Sequence, residues 1–206
     1  MVDVSTKEEL EKLILRCQTG DRQAFMELVK SHQNMVFAVL YRMMKDRQEV
    51  EDLAQEVWVK VYQSIRKLKA PGAFRSWLHR IALNTFRDRM RQKGHHIAFS
   101  LDEGYEMDNG DNLKMELEAP GLLPEETLLQ GEWKIHLDEA ILDLPEAHRA
   151  VIVMREIQGL SYDEIAYALD ISLGTVKSRI ARAREKLVAK LSEYMKEKEN
   201  NSNEKL

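Results

Sequence analysis

A chain of 206 residues, 44% hydrophobic and 32% charged, carries enough apolar side chains for one or two small domains with packed cores, which excludes disorder throughout. Its apolar runs fall far short of a membrane span, and the start, MVDVSTKEEL, lacks a cationic segment followed by an apolar one, so a cytoplasmic protein is expected. One cysteine, Cys17, excludes an internal disulfide, and a net charge of −4 excludes a uniformly basic surface.

In chain order, Ser5 with Glu8, or Thr6 with Glu9, predicts the capping box of a first helix running to about Cys17, a core thiol beside Leu13, Ile14 and Leu15. Gly20-Asp21 turns the chain into a second helix with Ala24, Phe25, Leu28 and Val29 inward, and Met35 to Met44 reads as a third, mostly apolar and central. Asp46 with Glu49 is another capping box, opening a long helix that continues to about Lys67. Pro71 and Gly72 interrupt the pattern, and a helix from Phe74 to Gln92 follows.

From Gly94 to Leu123 periodicity vanishes while Gly, Asp, Asn and Glu accumulate, the composition of a linker. Pro124 with Glu125 and Glu126 starts the next helix, since proline suits a first turn and carboxylates favour its positive end. After Leu144-Pro145, a helix from Ala147 to Gln158 offers Val151, Ile152 and Met154 to the segment that follows. That segment, Leu160 to Leu187, reads as a helix pair: Ser161 with Glu164 caps the first, Asp170 to Gly174 breaks the chain, and Ser172 caps the second. Val176, Ile180, Ala183 and Leu187 form one apolar stripe, opposite Gly174, Thr175, Ser178, Ala181, Arg182 and Glu185, with Lys177, Arg179 and Arg184 on the flanks. Small Ala166, a short turn and a basic second helix are the pattern of a helix-turn-helix, although an ordinary amphipathic pair shares the spacing. No strand and no internal repeat is legible, so the expected class is all-α.

The overall acidity hides two basic blocks. Residues 71–93 and 174–190 each hold six Lys/Arg against one acid, whereas residues 94–132 hold Lys114 against ten acids. Two polyanion sites separated by an acidic strip are therefore predicted. In the first block, Arg75, Arg80, Arg87, Arg89 and Arg91 alternate with aromatics, and Trp77, Ile81, Asn84 and Asp88 fall near one side; cations beside aromatic platforms suit single-stranded nucleic acid, while a core role serves Trp77 equally well. On the helix before it, Asp52, Gln55, Glu56 and Val59 share a face away from the stripe Leu53, Val57, Val61 and Ile65, so that face is either solvated or meets a partner. No Walker-type loop and no Ser/His/Asp constellation is present, and the adjacent pair His95-His96 is a poor metal site, so no enzyme activity, metal or cofactor is expected.

Four stretches in sequence, EDLAQEVWVKVY (51–62), AFRSWLHRIALNTFRDRMR (73–91), ILDLPEAHRAVIVMREIQGLSYDEIAYALD (141–170) and ISLGTVKSRIARAREKL (171–187), resemble bacterial RNA polymerase sigma factors of the extracytoplasmic-function (ECF) group. The resemblance implies two helical domains, region 2 over residues 1–93 and region 4 over residues 125–196, joined by an acidic flexible linker at 94–124 and followed by a disordered tail at 197–206. It implies that Asp52, Gln55, Glu56 and Val59 dock on the coiled coil of the polymerase's largest subunit. It implies that Leu68, Phe74, Arg75, Trp77, Arg80, Asn84 and Arg87 recognise and open the minus 10 element, with Asn84 holding an unstacked base. Ser172, Gly174, Thr175, Lys177, Ser178, Arg179 and Arg182 would read the minus 35 element in the major groove.

Expected partners are core RNA polymerase, promoter DNA in duplex and single-stranded form, and an anti-sigma factor, membrane-bound in many relatives; the expected regulon is a stress response. The acidic linker would imitate nucleic acid in basic polymerase channels, or act only as a spacer. Asp170 departs from the Gly common at such turns, which leaves the turn geometry open, although Asp tolerates unusual backbone better than most residues. Rival readings are a regulator that binds duplex DNA without polymerase, and an adaptor that binds polymerase alone. The basic face of the last helix argues against the adaptor.

Overall fold

Eight α-helices and no strand make up the described residues, the computed structural model covering 4–94 and 124–203. The expected linker, including His95 and His96, lies outside the described residues but for Gly94 and Pro124. The helices are α1 (Val4–Gln18), α2 (Arg22–Met43), α3 (Glu49–Ser64), α4 (Phe74–Gln92), α5 (Pro124–Leu142), α6 (Glu146–Ile152), α7 (Tyr162–Leu169) and α8 (Leu173–Asn203).

The N-terminal unit is built on α2, which packs on α1, α3 and α4. Asp21 starts it: the carboxylate accepts the Gln23 and Ala24 amides at 2.9 and 3.0 Å, and Arg16 clamps the same side chain at 2.8 Å. The preceding turn needs Gly20, whose φ of +93° is left-handed and whose Cα lies where an added Cβ would stand 3.1 Å from the Arg66 guanidinium. The two helices expected between Ala24 and Met44 are one. Nothing in Ser31-His32-Gln33-Asn34 stops a helix, and the Ser31 hydroxyl donates back to the Glu27 and Leu28 carbonyls at 2.9 and 3.0 Å, satisfying itself inside the helix. Leu28, Val36, Val39, Leu40 and Met43 then form one continuous buried stripe.

Two expected caps differ. Helix α1 begins at Val4, upstream of Ser5 and Thr6, and α3 follows Gln48, which makes no side-chain cap; Asp46 accepts the Gln48 amide at 3.0 Å, and the Glu49 carboxylate is drawn instead to Lys93 at 2.5 Å. The end of α3 tightens into a 3₁₀ turn at Ile65–Lys67, where the Gln18 amide donates to the Ile65 and Leu68 carbonyls at 3.0 and 2.8 Å. A second 3₁₀ turn, Pro71–Ala73, leads into α4.

In the C-terminal unit α6 and α8 pack most extensively, and α7 packs on α8. The single helix expected from Ala147 to Gln158 is α6 followed by a π-turn at Val153–Ile157, which closes with the Gln158 amide on the Val153 carbonyl at 3.0 Å. The wider turn lets the consecutive Val151, Ile152, Val153 and Met154 all be buried, which a regular helix with one inner face does not. Helix α8 runs to Asn203, into the stretch expected as a disordered tail; Glu197, Lys198 and Glu199 suit a helix, whereas the Asn-rich end does not explain its extension.

Candidate polymerase-binding and DNA-binding surfaces

Helix α3 buries Val50, Leu53, Val57 and Val61 and thereby turns Asp52, Gln55 and Val59 outward, Val59 being 55% exposed. Glu56 behaves differently from these three. Its carboxylate receives Arg89 at 3.0 Å and Lys60 at 3.1 Å, and Lys60 also reaches Asp88 at 3.2 Å, so Glu56 ties α3 to α4. Partial burial pushes its carboxyl upward, but the hydrogen bonds from Arg89 and Lys60 outweigh that and hold it below its ordinary value. An apolar patch extends the exposed side: Tyr62 packs edge-on against Phe25 at 5.0 Å, and Phe25 against Trp58 at 6.3 Å. Tyr62 was legible as the residue three positions after Val59; Phe25 was expected to point inward and is only half-buried.

On α4, Asn84 is exposed and its side-chain oxygen accepts from Arg87 at 3.1 Å. Trp77 is half-buried and tilted on Phe74 at 5.9 Å, so it serves the core and retains a free edge. Leu68 and Phe74 are buried in the hydrophobic core; the exposed part of their loop is Lys69, Ala70 and Gly72. Three cations of this set face the C-terminal unit. Arg75 donates to the Gln158 carbonyl, Arg80 lies 3.8 Å from Asp170 and 5.3 Å from the Tyr167 ring centre, and burial together with repulsion from Arg179 and Arg80 lowers the pKa of Arg87. His79, unremarked in the sequence, is fully buried between them, its Nδ1 donating to the Arg75 carbonyl at 2.7 Å, which fixes that nitrogen as the protonated one.

The helix pair forms as expected. Ser161 accepts the Glu164 amide at 3.3 Å while Glu164 accepts the Ser161 amide at 2.8 Å, a complete capping box. Asp170 adopts the left-handed conformation, φ 60° and ψ 48°, so the turn has the geometry usually given to Gly. Ser172 accepts the Thr175 amide at 3.1 Å, and Val176, Ile180 and Ala183 are buried. Ser172, Gly174 and Lys177 are exposed; Thr175, Ser178 and Arg182 are half-buried. Arg179 departs from its expected flank position: it is 1% exposed, and its charge bears on Arg87 of α4. The fold thus brings the α4 arginines together with the helix pair, whereas Asp52, Gln55 and Val59 remain open to solvent.

Residues 28–96 match Sigma-70 region 2, and residues 135–187 match Sigma-70, region 4. The chain is 34% identical over 194 residues to RNA polymerase sigma-H factor of Pseudomonas aeruginosa, covering 93% of this chain and 98% of that protein. It is 35% identical over 178 residues to ECF RNA polymerase sigma factor SigW of Bacillus subtilis, covering 86% and 94%. CnrH, solved in complex with the cytosolic domain of CnrY, superposes with a TM-score of 0.62 at 25% identity, covering 89% of this chain and 97% of that one. RpoE of Bartonella quintana, solved with the anti-sigma factor NepR, shares the fold with a TM-score of 0.60 at 21% identity, covering 82% and 96%. With both regions in order and full-length relatives of that description, the chain belongs to the ECF group of RNA polymerase sigma factors and is an alternative sigma factor.

Proposed function

We propose that this sigma factor works in the cytoplasm, docks on the coiled coil of the largest polymerase subunit through Asp52, Gln55 and Val59 of α3, and opens the minus 10 element with α4. The observation that carries the second part is Asn84, exposed on α4 with its amide oriented by Arg87 and Trp77 on the same helix. A side-chain amide can hydrogen-bond the edge of an unstacked base, while Arg75, Arg80 and Arg87 neutralise the backbone. Glu56 positions α3 against α4, and Leu68 and Phe74 shape the loop from beneath. On α8, Ser172, Gly174, Thr175, Lys177, Ser178 and Arg182 enter the major groove at the minus 35 element. Strand opening is driven by binding, with no chemistry by the chain itself, and the genes served belong to a stress response. Because CnrH was solved with the cytosolic domain of CnrY, we infer a comparable protein partner here, an anti-sigma factor anchored at the membrane.

Run-off transcription with purified core polymerase on pooled genomic fragments tests the reading and reports the promoter. Permanganate footprinting of Asn84→Ala on that promoter is expected to show reduced thymine reactivity in the minus 10 region with upstream protection retained. Normal opening by Asn84→Ala would remove Asn84 from the role.

A further inference from the structure

Helix α1 supplies no residue to the polymerase-binding or DNA-binding sets, yet it holds both turns of the loop that leads into α4. Lys7, Glu11, Ile14 and Gln18 recur at i, i+4, i+7 and i+11, which places them on one stripe of the helix. Ile14, in the middle of that stripe, is fully buried and fixes it to the core. Gln18 is half-buried, and its side-chain amide nitrogen donates twice, to the Ile65 carbonyl at 3.0 Å and to the Leu68 carbonyl at 2.8 Å. Those carbonyls belong to the first 3₁₀ turn, which closes with the Leu68 amide on the Ile65 carbonyl at 3.1 Å. Two turns back along α1, a Cβ added to Gly72 would stand 2.9 Å from the Glu11 carboxylate and 3.6 Å from the Lys7 side chain, so the second 3₁₀ turn rests directly on the helix. Between the two turns Leu68 and Ala70 have extended backbone, and Lys69 and Ala70 are exposed.

We propose that Gln18 is a positioning residue for base recognition: by tying the first turn to α1 it fixes the loop backbone from Leu68 to Gly72, against which an unstacked base of the minus 10 strand is selected. Trp77 and Asn84, seven positions apart, share a face of α4, and a strand lying along that face toward the start of the helix meets this loop. Bases differ in where their edges carry donors and acceptors, so backbone groups tell them apart only while the loop keeps its place. Gln18 touches no base and acts through the loop. An apolar side chain of similar length at position 18 leaves two carbonyls without their donor and frees the turn to shift. The inference rests on the assignment of α4 and its loop to the opened strand.

The test uses the full chain with core polymerase on the promoter returned by the run-off assay, prepared with each of the four bases in turn at every minus 10 and minus 35 position. The rate of open-complex formation on the preferred base, divided by the rate on the least favoured one, gives a discrimination ratio for each position. Because it is a ratio, a smaller folded fraction cancels from it, so loss of fold alone leaves it unmoved. Gln18→Met is expected to lower the ratio about ten-fold at one minus 10 position, the worth of one hydrogen bond, and to leave the minus 35 ratios unchanged. Gln18→Lys, which returns a donor to the two carbonyls, is expected to recover most of that ratio. An unchanged minus 10 ratio in Gln18→Met, an equal fall at minus 35, or no recovery in Gln18→Lys would overturn the positioning role. A parent chain that treats all four bases alike at every minus 10 position would overturn it too. Failure of the α4 assignment is seen separately, as normal opening by Asn84→Ala on the unaltered promoter, whatever the Gln18 ratios are.

Discussion

Asp170 shows how one residue sets the angle of the helix pair. Its left-handed backbone is costly for a residue with a Cβ, by roughly 1 kcal/mol relative to Gly and less for Asp than for a branched side chain. The side chain is mostly exposed and its ion pair with Arg80 is long at 3.8 Å, so that pair offsets little of the cost. Asp170→Gly is therefore expected to raise the melting temperature, by up to about 1 kcal/mol of stability, and Asp170→Val to lower it by more than that. A melt in which Val is tolerated as well as Gly would mean the turn relaxes to another geometry. The same residue marks a limit of sequence reading: an Asp in place of Gly left the turn open, because backbone angle is not visible in side-chain type.

Among the elements, periodicity made α4 legible to the residue, Phe74 to Gln92, and placed the buried stripes of α3 and α8 correctly. It failed where local chemistry was overridden by continuity. Polar Ser31-His32-Gln33-Asn34 looked like a break but lies inside α2, and the apolar run at 151–154 looked like a regular helix but needs a π-turn to bury every side chain. The site was legible as helix faces, while its internal ion pairs were not, since Glu56 and Arg89 are 33 positions apart and meet only when α3 packs on α4.

Which force holds that packing can be decided by magnitude. The Glu56 network is partly exposed and screened, worth about 0–1 kcal/mol, whereas fully buried Leu53 of α3 should cost about 2–5 kcal/mol when cut to Ala. Urea unfolding of Arg89→Met is expected to sit within about 1 kcal/mol of the parent and Leu53→Ala well below it. An Arg89→Met loss as large as that of Leu53→Ala would make the ion pairs the dominant tie between the two helices.

Across the whole molecule, the junction of the units contains a titratable group with a defined sign. Burial lowers the pKa of His79 below 6.5; the charge of Arg75 lowers it further, and the Arg75 carbonyl, Gln158 and Glu164 oppose without reversing the shift. His32, against Phe74 on the same helix, is lowered by burial too. A base whose folded pKa is depressed is neutral in the native state, so between its folded value and 6.5 the unfolded chain binds more protons. The stability is therefore complete above pH 6.5 and falls as pH drops below it, by at most about 1.4 kcal/mol per pH unit for each group. Asp21 and Glu56, whose carboxyls are held low, lose their contribution only as pH falls through their own depressed values, below 3.8 and 4.5. Acid weakening thus comes in two windows, histidines first. Thermal melts between pH 7.5 and 5 are expected to decline for the parent chain and to flatten in His32→Gln with His79→Gln, where an amide keeps a donor near the Arg75 carbonyl without a proton to gain. If the double variant declines as steeply as the parent over that range, the buried imidazoles do not set the acid limit, and the charge pairs across the interface become the remaining source of it.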